Sequence, residues 1–147
     1  MRPRHPAVAR LCDGKAYSSR MAHPMSVDIC WETVCALPVN ALITGNSAFR
    51  QRALAIALAD TPPDVHFCRA TPGTDLVVPE VESGTLVIDD ADALPPTAQQ
   101  SLLRWMEEPE RQVRIITLAE HPLYPLVEQG RFSADLYYRL CVVQTSD

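Results

Sequence analysis

Apolar residues in this chain gather in short continuous runs, separated by longer stretches with a helical rhythm. Four residues at 41–44 (ALIT) form one such run, and 65–68 (VHFC), 84–90 (GTLVIDD), 113–119 (VRIITLA) and 139–144 (RLCVVQ) form the others. Runs this short and this uniformly apolar predict strands buried on both faces of a sheet. Between them lie predicted helices. Residues 26–37 carry Ile29, Val34 and Leu37 on one face, can be capped by Ser26 or Asp28, and are stopped by Pro38. Residues 51–59 are almost wholly Ala, Leu and Ile, which places that helix inside a domain. Pro95 and Pro96 open another helix, with Ala98, Leu102, Trp105 and Met106 on one face and Pro109 beyond it. Residues 123–128 and 133–138 supply two more. Strands alternating with helices predict an α/β domain: five parallel strands in one sheet with helices on both faces.

Composition narrows the class. The 147 residues suit one domain, 47% of them are apolar, and the net charge is −5. An acidic chain argues against a general nucleic-acid surface but leaves room for a small local basic patch. No apolar run reaches the ~18 residues of a membrane span. Five cysteines (Cys12, Cys30, Cys35, Cys68 and Cys141) form no C-x-x-C pair and have no histidines at zinc spacing. They read as reduced thiols of a cytoplasmic protein.

Residues 1–25 differ from the rest, with four arginines, three prolines and no apolar core. They read as a disordered extension preceding a single domain at 26–147. Met21 and Met25 both precede the first patterned segment, and the expectation is that translation can start at either.

The candidate chemistry sits at two strand ends. After the 41–44 strand comes Gly45-Asn46-Ser47-Ala48-Phe49-Arg50-Gln51-Arg52, at the place of a phosphate-binding loop. A working loop reads G-x-x-x-x-G-K-[ST], where glycines let the backbone approach phosphate and lysine offsets its charge. Here Arg50, Gln51 and Arg52 stand at the glycine, lysine and hydroxyl positions. The 84–90 strand ends in Asp89 and Asp90, which have the form of a magnesium carboxylate and a water-orienting acid.

These segments resemble a known family. SGTLVIDDADALPPTAQQSLLRWMEE, then VRIITLAEHPLYPLVEQGRFSADLYYRLCVV, is similar to the AAA+ core of sigma-54-dependent transcription activators. That family carries GGTLFLDE, then VRIIAATN, then GRFREDLYYRLNVV. The match spans about 26–143, and ALITGNSAFRQRALAIAL aligns without a gap to VLITGESGTGKELVARAI. The resemblance implies a three-layer P-loop NTPase-like fold. It makes Gly45 to Arg52 a vestigial phosphate loop and Asp89 a vestigial magnesium position. Asp90 then stands for a catalytic glutamate, Glu120 for the sensor asparagine, Ser133 for one arginine finger and Arg139 for the second conserved arginine. The GAFTGA loop that contacts sigma-54 is replaced by the short stretch 69–83, and neither a helical lid nor a helix-turn-helix follows. Without the helix-turn-helix, the expectation is no direct DNA binding.

With lysine, sensor amide and one finger gone together, the expectation is no ATP hydrolysis and no cofactor, neither ATP nor magnesium. The chain then reads as a non-hydrolysing interaction module in transcription regulation, a monomer or weak dimer whose partner is an activator or related regulator. Two alternatives stand beside it. One is an ATP-binding sigma-54-dependent regulator. The other is a clamp-loader-like stator, to which DDADALPPTAQQSLLRWMEEP is also similar.

Overall fold

The computed structural model describes residues 31–35, 37–59 and 61–147. The extension at 1–25 and the start of the first expected helix lie outside the described residues. Inside them, α1 covers Trp31–Cys35, followed by β1 Ala41–Thr44, α2 Ser47–Leu58, β2 Val65–Arg69 and β3 Ser83–Asp89. A single 3-10 turn, Ala91–Ala93, leads to α3 Pro96–Met106, β4 Gln112–Ala119, α4 Tyr124–Glu128, α5 Ala134–Leu140 and β5 Val143–Ser146.

The five strands are all parallel, in the order β2-β3-β4-β1-β5. Strand β1 lies between β4 and β5, with Ala41 level with Ile116 and Val143. All four β1 residues are buried, as a continuous apolar run requires of a central strand. The connection from β1 to β2 runs one way across the sheet, and every later connection runs back. Right-handed crossovers therefore put α2 on one face and the remaining connections on the other. The packing follows this division. Trp31, Ala41, Ile43, Phe49, Ala53, Ala57, Val87 and Ile116 form one layer of core. Leu42, Leu86, Ile88, Leu102, Ile115, Leu136 and Leu140 are among those forming the other.

Three boundaries depart from the sequence expectation. Helix α2 starts at Ser47 instead of residue 51, so most of the expected phosphate loop is helix. Arg139 and Leu140 belong to α5 instead of the last strand. There Leu136, Tyr137 and Leu140 fall on one buried helical face, which extends the helix past residue 138. Asp90 lies outside β3, in the left-handed region with φ 55°. The 3-10 turn that follows needs the chain to change direction there. The Ala70–Glu82 connection holds no regular element, and Ala70 and Leu76 bury themselves against the α3 and α5 side.

Candidate functional site

The carboxyl ends of β1 and β3 bring Gly45, Asn46, Arg50, Asp89 and Asp90 together. Gly45 follows β1 directly, with φ 146°. A Cβ added there would stand 2.6 Å from the Cβ of Asp147 and 3.0 Å from the Phe49 ring, so glycine is required twice over. The Gly45 N–H donates to the Ala119 carbonyl (3.1 Å), which ties this corner to the end of β4.

Asn46 then starts the helix. Its backbone is extended, and its Oδ1 accepts from the Phe49 N–H at 2.9 Å. Its carbonyl accepts from the Arg50 N–H at 3.0 Å. This is an N-cap, the arrangement for which asparagine is favoured. Its Nδ2 also donates to the Asp147 carboxylate. One turn on, Phe49 turns inward and is only 5% exposed, packed with Trp31, Ala53 and Ala57 against the sheet. Ser47, Ala48, Gln51 and Arg52 are exposed on the outer side.

Arg50 points the other way, over the end of β3. Its Nη1 lies 3.2 Å from Asp89 Oδ1 and 3.2 Å from Asp90 Oδ1. Arg69, at the end of the neighbouring β2, places Nε 2.7 Å from Asp90 Oδ2. Asp89 Oδ1 also accepts from the Asp90 N–H at 2.9 Å. The two acids therefore meet two guanidiniums of the same chain. The hydrogen bond from Arg69 holds the Asp90 carboxyl below its ordinary value, with Arg50 adding to this against the opposing cost of burial. Asp90 in turn raises the Arg69 guanidinium above its own.

This arrangement does not fit a magnesium ion carried on a triphosphate. A phosphate cradle needs several backbone N–H groups turned toward open space. Here the N–H groups of Gly45, Phe49 and Arg50 are committed within the chain, which leaves those of Asn46, Ser47 and Ala48 at the start of α2. The carboxylate face that would meet a cation already meets Arg50 and Arg69. Among the described residues no cluster of three histidines, cysteines or acids is placed to hold a metal.

The other candidate residues lie around or away from this point. Glu120 is exposed just past β4, beside Ala119 and so near Gly45. Ser133 is the N-cap of α5, its hydroxyl accepting from the Leu136 N–H at 3.3 Å. Arg139 is not brought into the cluster. Its carbonyl accepts from Asn40 Nδ2 (2.8 Å) at the amino end of β1, and its guanidinium lies 3.5 Å from Glu107.

Sequence reasoning missed Asn46 as a cap and Arg69 as a partner of Asp90. It also missed Gln99, which is 3% exposed on α3. Gln99 Nε2 donates to the carbonyls of Leu94 and Arg131, both at 3.0 Å, and its Oε1 accepts from the Ser133 N–H at 2.8 Å. One side chain thus fastens the turn after β3 to the loop before α5.

Comparison with known proteins bears on the family and the fold. The family model described as "Sigma-54 interaction domain" matches residues 66–146. The DNA-binding transcriptional regulator NtrC of Azospirillum brasilense is 37% identical over 75 residues, covering 44% of this chain and 16% of that protein. The chain thus spans about a sixth of that relative's length. The crystal structure of NtrX from Brucella abortus in complex with ATP superposes with a TM-score of 0.64 at 22% identity, over 79% of this chain and 34% of that one. The P-loop NTPase domain of an E. coli sigma-54 activator gives 0.53 at 18% identity, over 78% and 91%. At those identities the two structures establish the fold, that of a P-loop AAA+ core. Taken with the match over more than half its length, the chain belongs to the sigma-54 interaction domain family.

Proposed function

We propose that this chain is a nucleotide-independent, non-hydrolysing form of the sigma-54 activator-type domain, acting in transcription regulation through contact with another protein. The observation that carries the reading is the position of Arg50. Its guanidinium lies between Asp89 and Asp90, and its own backbone belongs to a helix that has replaced the loop. Phosphoryl transfer depends on positioned charge, and here the positions are taken by side chains of the same chain. Gln51 brings no cation, and Glu120 adds a negative charge beside Gly45.

The partner in this reading is a transcription activator or related regulator, met through protein surface and without direct contact to DNA. Any ligand that binds the folded state raises the melting temperature by mass action. Millimolar ATP with magnesium is expected to leave the melting temperature unchanged, and phosphate release is expected to match the buffer blank. A saturable rise with nucleotide, removed by Asp89→Ala, overturns the reading.

A further inference from the structure

Strand β2 is an edge: among the described residues only β3 pairs with it. Its hydrogen-bond parity is fixed by its two ends. The Thr85 N–H donates to the Asp64 carbonyl and the Ala70 N–H to the Asp89 carbonyl, both at 2.9 Å. In a parallel ladder bonding positions alternate, so the even positions face β3. Phe67 and Arg69 turn their N–H groups outward, and Val65, Phe67 and Arg69 turn their carbonyls outward. The Val65 N–H is taken by the Pro63 carbonyl (3.0 Å).

The side chains on this edge are unusual for an open one. Natural edges are blunted by lysine, proline, a bulge or a cover. Residues 65–69 contain no lysine and no proline, and they pair with 85–89 without a bulge. At the centre Phe67 is 65% exposed, on the same side of the sheet as Val65. The polar side chains on either side have partners within the chain. Arg69 is held by Asp90, and His66 Nε2 lies 2.7 Å from Asp64 Oδ1.

We propose that β2 pairs antiparallel with β2 of a second copy of this chain, about a two-fold axis through Phe67. That register sets Phe67 against Phe67 and Val65 against the aliphatic stem of Arg69. It matches outward groups to outward groups. Phe67 bonds to Phe67 in both directions, and each Arg69 N–H bonds to the opposite Val65 carbonyl, giving four bonds that leave the Val65 turn undisturbed. The two aromatic rings cover each other on one face, as cross-strand aromatic pairs do. Like-charge repulsion is small because each Arg69 already has its carboxylate. The product is a continuous ten-stranded sheet. This inference is independent of the nucleotide reading, because β2 pairing needs neither the presence nor the absence of ATP.

The test is sedimentation velocity of the 147-residue chain over a concentration series, with amide exchange by NMR on the same samples. Wild type is expected to shift from one copy to two as concentration rises. Over the same range the Phe67 and Arg69 amides become protected, while those of His66 and Cys68 are protected throughout. Phe67→Lys is expected to remain a single copy at every concentration, with an unchanged far-UV spectrum. A wild-type chain that stays a single copy overturns the proposal. So does a dimer whose Phe67 amide exchanges freely, which would place the contact elsewhere.

Discussion

Asn46 Oδ1 accepts the Phe49 N–H at 2.9 Å, and that bond moves the start of α2 four residues ahead of the expected position. The helix takes in Ser47 to Arg50, which in a phosphate loop would be open backbone. Every later feature of the site follows from it. Phe49 falls on the buried face with Ala53 and Ala57, and Arg50 falls where it can reach β3. Asn46→Ala is expected to cost about 1 kcal/mol in chemical denaturation, and Asn46→Gly only a few tenths. Equal losses from both would show that the cap is not what holds this turn.

Arg50→Ala removes a guanidinium whose side chain is 14% exposed and leaves Asp89 and Asp90 side by side. The expected loss is about 1–3 kcal/mol, most of it from stranding the Asp89 carboxylate, since Asp90 keeps Arg69. Asp89→Asn in the Arg50→Ala background should therefore recover part of the loss. Additive losses in the double variant would mean that Arg50 does not compensate Asp89.

Gln99 is a second point of failure, on the opposite layer. Gln99→Leu keeps the volume roughly but strands the Leu94 and Arg131 carbonyls and the Ser133 N–H. Buried groups left unpaired cost roughly 1–3 kcal/mol each, so the loss should exceed that of the Asn46 cap. Amide exchange should quicken at Ser133 before it does in β4. A loss below that of Asn46→Ala would contradict the bridging role.

The acid limb of stability carries a signature of Asp90. Its carboxyl is lowered on folding, so the folded chain binds fewer protons there than the unfolded chain does. Its contribution is present above the unfolded value of about 3.9 and is lost as pH falls through the lower folded value. Asp90→Asn is expected to flatten the fall in stability over that window and to leave the slope near neutrality unchanged. An unaltered acid limb in Asp90→Asn would show that Arg69 and Arg50 do not stabilise the ionised form.

Burial pushes the Cys68 thiol up to about 11. Only the thiolate reacts, so alkylation of Cys68 in the folded chain at pH 8 should be on the order of a hundredfold slower than in urea. Similar rates in both states, read by mass spectrometry of the Cys68 peptide, would contradict the half-buried setting.

The sheet was legible in the sequence because its central strands, ALIT and VRIITLA, are apolar on both faces, and burial on both faces leaves no other reading. The site was legible in part. Asp89 and Asp90 announce themselves at a strand end, and Arg50 was visible as a charge in the wrong place. Its target was not visible, because the contact spans 39 positions and depends on where α2 begins. The position after the 41–44 strand, at the place of a phosphate-binding loop, suggested a loop. The local signal pointed to helix: Asn46 followed by Ser-Ala-Phe-Arg-Gln-Arg without a glycine. Gln99 was hidden for a different reason. It borders the apolar face, three residues before Leu102, but nothing in the sequence names the carbonyls of Leu94 and Arg131 that it meets.

Trp31 and Trp105 lie on opposite sides of the sheet. Trp31 donates its indole N–H to the Ala53 carbonyl at 3.0 Å in the α2 layer, and Trp105 sits under the Arg111 guanidinium, 4.1 Å away, in the other layer. Replacing either with phenylalanine leaves a single fluorophore reporting on one layer. Nature has thus wired this small domain with a separate optical gauge on each side, and a denaturation followed through both gauges would reveal whether the two halves of the sandwich come apart in concert or in turn.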